Sequence, residues 1–178
     1  MTFHPHPRKV IFGQEAGLEM LSSLEEKASR MASFGVDHLV IQPFTVDFSK
    51  MEYDDFVRNI LVDKLGVKRL VIGYDHQFGH QRKGSMKALR EMGPSLGFEV
   101  EEIPEQEIDA IAVSSTRIRK ALKNGEVEVA AQLLGYPYML TGRVVKGQQL
   151  GRTLGFPTAN LQVVDPDKLV PANGIYAV

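Results

Sequence analysis

The chain has 178 residues, 43% hydrophobic and 24% charged, enough for a packed domain of ordinary size plus a small second one and too apolar for disorder. A net charge of -1 and a pI near 6.5 argue against a nucleic-acid binder, whose surface would be basic, and the absence of cysteine excludes disulfides, thiolate metal sites and cysteine nucleophiles. No run approaches the ~18 apolar residues of a membrane span, and the N-terminal stretch has no secretory apolar core, so a soluble, cytoplasmic protein without membrane contact is expected.

In chain order, Thr2-Phe3 reads as the end of a strand. Ser22-Ser23-Leu24-Glu25-Glu26 opens a helix with a capping box, and Gly35 supplies its left-handed stop. Leu39 to Ile41 is a β-branched strand ended by Pro43. A helix from about Glu52 to Leu65 buries Phe56, Ile60 and Leu61, with Gly66 as its stop. Leu70-Val71-Ile72 is apolar throughout, as strands of parallel sheets are. A glycine-rich loop from Gly73 to Gly84 leads to a helix near Ser85, and Phe98 to Ile103 is the next strand. Helices then span Thr116 to Lys123 and Glu126 to Leu134. This alternation predicts an α/β fold with a doubly wound parallel sheet.

After Gly135-Tyr136-Pro137 the helical period disappears and short strands are expected at Tyr138 to Val145, Thr158 to Val163 and Gly174 to Val178, the start of a β-barrel. These roughly 40 residues sit near the lower limit for a domain without disulfides or metal, so further chain is expected downstream. The early glycine turn of a nucleotide-binding sheet is also absent, so upstream chain is expected too.

Three segments carry chemistry. Ser114-Ser115-Thr116-Arg117-Ile118-Arg119 lies between an apolar stretch and a helical pattern. Its hydroxyls would stand at a helix N-terminus, either as an anion site or as an ordinary cap. Gly73-Tyr74-Asp75-His76-Gln77-Phe78-Gly79-His80 follows a buried strand, where ligands of open α/β sheets bind. It reads equally as a surface loop. From Gly142 to Asn160, glycines at 147, 151 and 155 free the backbone to wrap phosphates, and Thr158 and Asn160 offer hard oxygens suited to magnesium and nucleotide phosphate. A barrel turn would also need the glycines, but it leaves Thr158 and Asn160 unexplained. His4-Pro5-His6-Pro7 is read as a rigid extended segment rather than a metal site.

In this order and spacing the three segments resemble the prokaryotic FAD synthetase family, which joins an FMN adenylyltransferase of the nucleotidyltransferase type to a riboflavin kinase barrel. The Gly151-Arg152 to Phe156-Pro157-Thr158-Ala159-Asn160 stretch is specific to riboflavin kinases. The resemblance implies a Rossmann-like nucleotidyltransferase sheet over 1–135, then the start of a riboflavin-kinase β-barrel over 136–178. It implies ATP phosphates held by Ser115, Thr116 and Arg119, with Arg119 catalytic, and a flavin pocket involving Gly73, Asp75 and Phe78. In the kinase half it implies ATP held by Gly147, Gly151, Gly155, Thr158 and Asn160, the last two also binding magnesium. Riboflavin, FMN, FAD and ATP would be its small-molecule partners. The family's N-terminal glycine- and histidine-rich motif and the later half of the kinase have no counterpart here, so these residues alone are expected to be impaired in both reactions. A non-catalytic flavin or nucleotide module, and a nucleotidyltransferase for another substrate, are the alternatives. Oligomeric state is not legible.

Overall fold

The computed structural model describes residues 1–13, 17–148, 150–153, 155–156 and 158–177; of 106–114, 150 and 152 it describes the backbone alone. Two compact units are present, one of residues 1–16 and 41–113, the other of 17–40 and 114–178.

In the first unit, β1 (Thr2–His4) pairs in parallel with β2 (Ile41–Pro43), and α1 (Pro7–Phe12) lies between them in sequence. His6 caps α1, its Nδ1 accepting from the Arg8 N–H at 3.2 Å. Strand β2 lies later than the predicted 39–41 and includes Pro43. The Phe44 N–H donates to the His4 carbonyl, extending the pairing past the proline. The short α3 (Val46–Ser49) is capped by Thr45.

The helix expected over 52–65 begins as α4 (Tyr53–Asp55) and widens into a π-helical run over Phe56–Lys64. The Leu65 N–H reaches the Ile60 carbonyl, five residues back. Phe56, Val57, Ile60 and Leu61 are buried on this helix and pack with Leu89 and Phe98 as the unit's core. Strand β3 (Arg69–Gly73) pairs in parallel with β4 (Glu99–Ile103). Between them α5 (Met86–Leu96) starts at the Ser85 cap and ends at Gly97 in the left-handed conformation. The parallel pairing is that of the α/β reading, but among the described residues the four strands form two separate pairs rather than one sheet.

In the second unit, α2 (Leu24–Ser33) has the predicted capping box: Ser23 Oγ accepts the Glu26 N–H at 3.1 Å and Glu26 Oε2 accepts the Ser23 N–H at 3.0 Å. At its other end the Val36 and Gly35 N–H groups return to the carbonyls of Met31 and Ala32, with Gly35 at φ +79. Helix α6 (Glu105–Asn124) is continuous where the sequence predicts a start at Thr116, and α7 (Val127–Leu134) follows and ends at Gly135. Ile118, Ala121, Leu122 and Ala130 form this unit's core with Leu169.

Strand β5 (Gly142–Val145), the short α8 (Leu150–Thr153) and β6 (Asn160–Val163) complete the chain, β5 and β6 pairing antiparallel. Both strands are shorter than predicted, the 174–177 part of the third expected strand has no strand pairing, and no closed barrel forms among the described residues. Val178 lies outside them.

Beneath the hairpin lies a buried ion pair. Lys168 Nζ is 2.6 Å from Glu26 Oε2, with side chains 2% and 5% exposed, and also donates to the Leu21 carbonyl at 2.8 Å. Burial by itself would raise the Glu26 pKa. The hydrogen bonds from Lys168 and from the Ser23 and Thr141 N–H groups, with the Lys168 charge, hold it below the usual carboxylate value instead.

Candidate functional site

The loop after β3 leaves the carboxyl ends of two parallel strands, where the Tyr74 N–H donates to the Ile103 carbonyl at 3.2 Å. A turn returns the His76 N–H to the Gly73 carbonyl, and Phe78 and Gly84 then exchange backbone hydrogen bonds at 3.1 and 2.9 Å. The sequence reading assigns the glycines to close approach of a ligand. At Gly79 the close neighbour is instead Tyr53: a Cβ built at Gly79 would stand 2.6 Å from the Tyr53 Cβ, and one at Gly84 2.7 Å from it. Those glycines let the loop fold down on α4.

Phe78 is half-buried, edge-on to Tyr53 at 6.4 Å and tilted against Phe56 at 5.9 Å. His76 stacks on it at 5.9 Å and 22° and is exposed, as is Asp75. The outer ring of the stack is therefore His76, with Phe78 anchoring it to the core. Although the residue is exposed, the shielding of its ring on Phe78 and the Arg82 charge depress the His76 pKa, against an upward pull from Asp75. Gln81 and Arg82 have positive φ (55 and 60), a strained conformation for side-chain-bearing residues. The segment is pinned by Glu52, whose carboxylate meets His80 Nδ1 at 3.0 Å and Lys83 Nζ at 3.6 Å. Sequence reasoning missed Glu52 and Tyr53. The paired glycines at 79 and 84 were the available sign that something stood close to the loop.

Ser115, Thr116 and Arg119 lie inside α6. A helix interior spends its amides on carbonyls four residues back, so the free N–H donors expected at a helix start are not offered here, and the end-of-helix reading is corrected. The Ser114 side chain lies outside the described residues. Side-chain geometry still groups the rest: Ser115 and Thr116 stand four and three residues before Arg119, on one face. Ser115 and Arg119 are half-buried and Thr116 is exposed. Arg119 Nε donates to the Glu19 carbonyl at 3.0 Å, and Lys123, one turn on, pairs with the Glu19 carboxylate.

The glycine loop between β5 and β6 is the most constrained of the three. Its mouth is the Val145–Asn160 register pair. A Cβ at Gly147 would collide with the Asn160 amide nitrogen and stand 2.7 Å from its Oδ1. One at Gly151 would collide with the Phe156 carbonyl and stand 2.9 Å from the Thr158 hydroxyl. Gly155 turns the chain at φ +82, and the Phe156 N–H closes the turn on the Gly151 carbonyl at 2.8 Å. Leu154 and Pro157 lie outside the described residues. Two glycines thus seat two oxygen-bearing side chains, both exposed, at one loop, and that loop belongs to the second unit, as do Ser115, Thr116 and Arg119 of α6. Gly73, Asp75 and Phe78 belong to the first.

Thr158 Oγ1 and Asn160 Oδ1 are hard, neutral donors, and no group of three His, Asp or Glu side chains able to hold a metal occurs among the described residues. Such a set suits magnesium arriving with phosphate and water ligands rather than a metal caged by protein carboxylates.

This mixed α/β fold is shared with a crystal structure named as a macrolide-efflux protein from Streptococcus pneumoniae, at a TM-score of 0.75 and 30% identity, covering 97% of this chain and 55% of that one. The efflux name belongs to that protein; no described helix here is long and apolar enough to cross a membrane. The chain belongs to the FAD synthetase family, whose profile matches residues 1–117. A riboflavin kinase profile matches residues 134–178. Among curated relatives, bifunctional riboflavin kinase/FMN adenylyltransferases from Listeria monocytogenes, Haemophilus influenzae and Escherichia coli K12 are 42%, 37% and 35% identical over the whole chain. The chain spans 56–57% of their lengths.

Proposed function

We propose that this chain serves FAD biosynthesis, in a protein that phosphorylates riboflavin to FMN with ATP and then adenylylates FMN to FAD. Residues 1–135 would contribute the FMN adenylyltransferase domain and 136–178 the beginning of the riboflavin kinase barrel. The observation that carries this reading is the seating of Asn160 against Gly147 and of Thr158 against Gly151, in a stretch similar to riboflavin kinases and following one similar to FAD synthetases.

In the first reaction a riboflavin hydroxyl oxygen attacks the γ-phosphorus of ATP, the bond to the bridging oxygen breaks and ADP leaves. In the second an FMN phosphate oxygen attacks the α-phosphorus and pyrophosphate leaves. Both depend on alignment and on neutralising phosphate charge. Gly147, Gly151 and Gly155 shape the loop around the nucleotide, and Thr158 and Asn160 would hold magnesium and phosphate oxygens. Magnesium, when bound with ATP, supplies positive charge at those oxygens. Arg119, its plane fixed through Nε by the Glu19 carbonyl, would present its Nη groups to phosphate beside Ser115 and Thr116. Gly73, Asp75 and Phe78 would form part of the flavin pocket, with His76 as the ring exposed to it. A cytoplasmic location follows from these small-molecule substrates.

The test is direct. Purified protein containing this chain is incubated with magnesium-ATP and either riboflavin or FMN, and flavins are separated chromatographically. FMN and FAD are the expected products. Failure with both substrates overturns the enzyme reading, and FMN binding without turnover leaves a flavin-binding module.

A further inference from the structure

Strands β5 and β6 are the legs of a hairpin, and both feet stand on one side chain. At the first foot, one residue before β5, the Thr141 N–H donates to Glu26 Oε1 at 3.0 Å. At the second, beyond β6, Lys168 is held by Glu26 Oε2. The backbone around Lys168 is tied to the same region: the Met20 N–H donates to the Asp167 carbonyl at 2.7 Å and the Leu169 N–H to the Met20 carbonyl at 2.9 Å. The Tyr138 ring covers the Lys168 ammonium at 4.2 Å while its hydroxyl donates to the Leu169 carbonyl at 2.7 Å. One turn along α2, the Arg30 guanidinium lies 3.5 Å over the Tyr136 ring.

The hairpin itself contributes little to its own placement. Its facing pair Val144 and Leu161 is 68% and 51% exposed, and a two-stranded ribbon without a buried face is marginal in water. Its direction is therefore set where it is anchored, and the anchor is a buried carboxylate with three partners, Ser23 of its own helix cap and the distant Thr141 and Lys168.

We infer that Glu26 is a positioning residue for the Gly147–Asn160 loop. A helix in the stretch similar to FAD synthetases thereby aims the phosphate loop of the stretch similar to riboflavin kinases. What the loop binds rests on the function proposed above; the mechanical part does not.

Hydrogen exchange on the 178-residue chain separates the two. Four proteins are compared: the unaltered chain, Glu26→Gln, Lys168→Met and the double variant. Glu26→Gln strands a buried ammonium, so exchange at the β5 and β6 ladder amides should accelerate by roughly 10-fold or more, with β3 and β4 unchanged within about 2-fold. The double variant lacks the stranded charge but also the anchor, so it should regain only part of that protection and still exchange faster than the unaltered chain at β5 and β6; full recovery would assign the effect to the charge alone and overturn the inference. Should Glu26→Gln fail to fold, Lys168→Met carries the same comparison. Unchanged β5 and β6 amides, or acceleration spread equally over α6 and α7, would overturn the inference, since the second pattern marks a general core residue. In protein active on both substrates, Glu26→Gln should raise the ATP KM of riboflavin phosphorylation about 10-fold while sparing FMN adenylylation. Absence of both activities in purified protein containing the unaltered chain sinks the functional reading and leaves the exchange result to decide the mechanical one.

Discussion

Gly147 shows how little room the glycine loop has. Any side chain there meets the Asn160 amide, so Gly147→Ala must push the loop or the amide aside, at a cost of about 1–3 kcal/mol. We expect it to weaken magnesium-ATP binding by roughly 10-fold or more, read by calorimetry, without shifting the protection of β3 and β4. Gly79 is constrained twice, by φ +74 and by Tyr53. Gly79→Ala should lower urea stability by about 1–3 kcal/mol, and equal midpoints would mean the loop does not rest on α4 in solution. That two polar side chains, Thr158 and Asn160, follow a run of glycines without a packing reason was legible in the sequence; what they bind is the proposal made above. Glu26 was not. Its capping-box pattern is local and visible, whereas its bonds to Thr141 and Lys168 span 115 and 142 positions, and no periodicity encodes a contact at that distance.

Among the elements, α2 carries the strongest expectation about pH. The folded-state pKa of Glu26 lies below its ordinary 4.5, so the unfolded chain binds the proton more readily and stability rises with pH across that window. The contribution is complete above 4.5 and is lost as the pH falls through the lower folded value. The groups facing the carboxylate are Lys168 and, over it, the Tyr138 ring, whose hydroxyl is pushed well above its usual range by burial and by Glu26 itself. Urea midpoints should therefore fall more steeply below about pH 4.5 for the unaltered chain than for the Glu26→Gln/Lys168→Met protein. Parallel slopes would show that another carboxylate dominates. The capped helices α2 and α5 were readable because their start and stop signals are short-range. The π-helical run and the unbroken α6 were not. The apolar positions around Phe56 to Leu61 specify burial without specifying the turn that achieves it, and Ser114-Ser115-Thr116 resembles a cap whether or not the helix has already begun.

For the whole molecule, each unit has its own core, one built on the π-helical run with Leu89 and one on α6 with Leu122. Leu89 and Leu122 are nearly inaccessible, at 1% and 0%. Leu89→Ala and Leu122→Ala should each destabilise by about 2–5 kcal/mol, and exchange should locate the loss in the unit that holds the residue. The α/β class and its parallel pairing were legible from alternating apolar runs and helical patterns. That residues 17–40 join 114–178 was not, because composition along a chain carries no record of which distant stretch a helix returns to.

That return journey bears on synthesis. Residues 17–40 leave the ribosome well before their partners near Lys168, which emerge after more than a hundred further positions have been translated. The first unit has all its pieces once residue 113 is out, whereas α2 must wait, its Glu26 without Thr141 and Lys168, until those residues arrive. Loop closure of that span is slow relative to local pairing, so the nascent chain should mature in two stages, with α2 the segment on which a chaperone has longest to act.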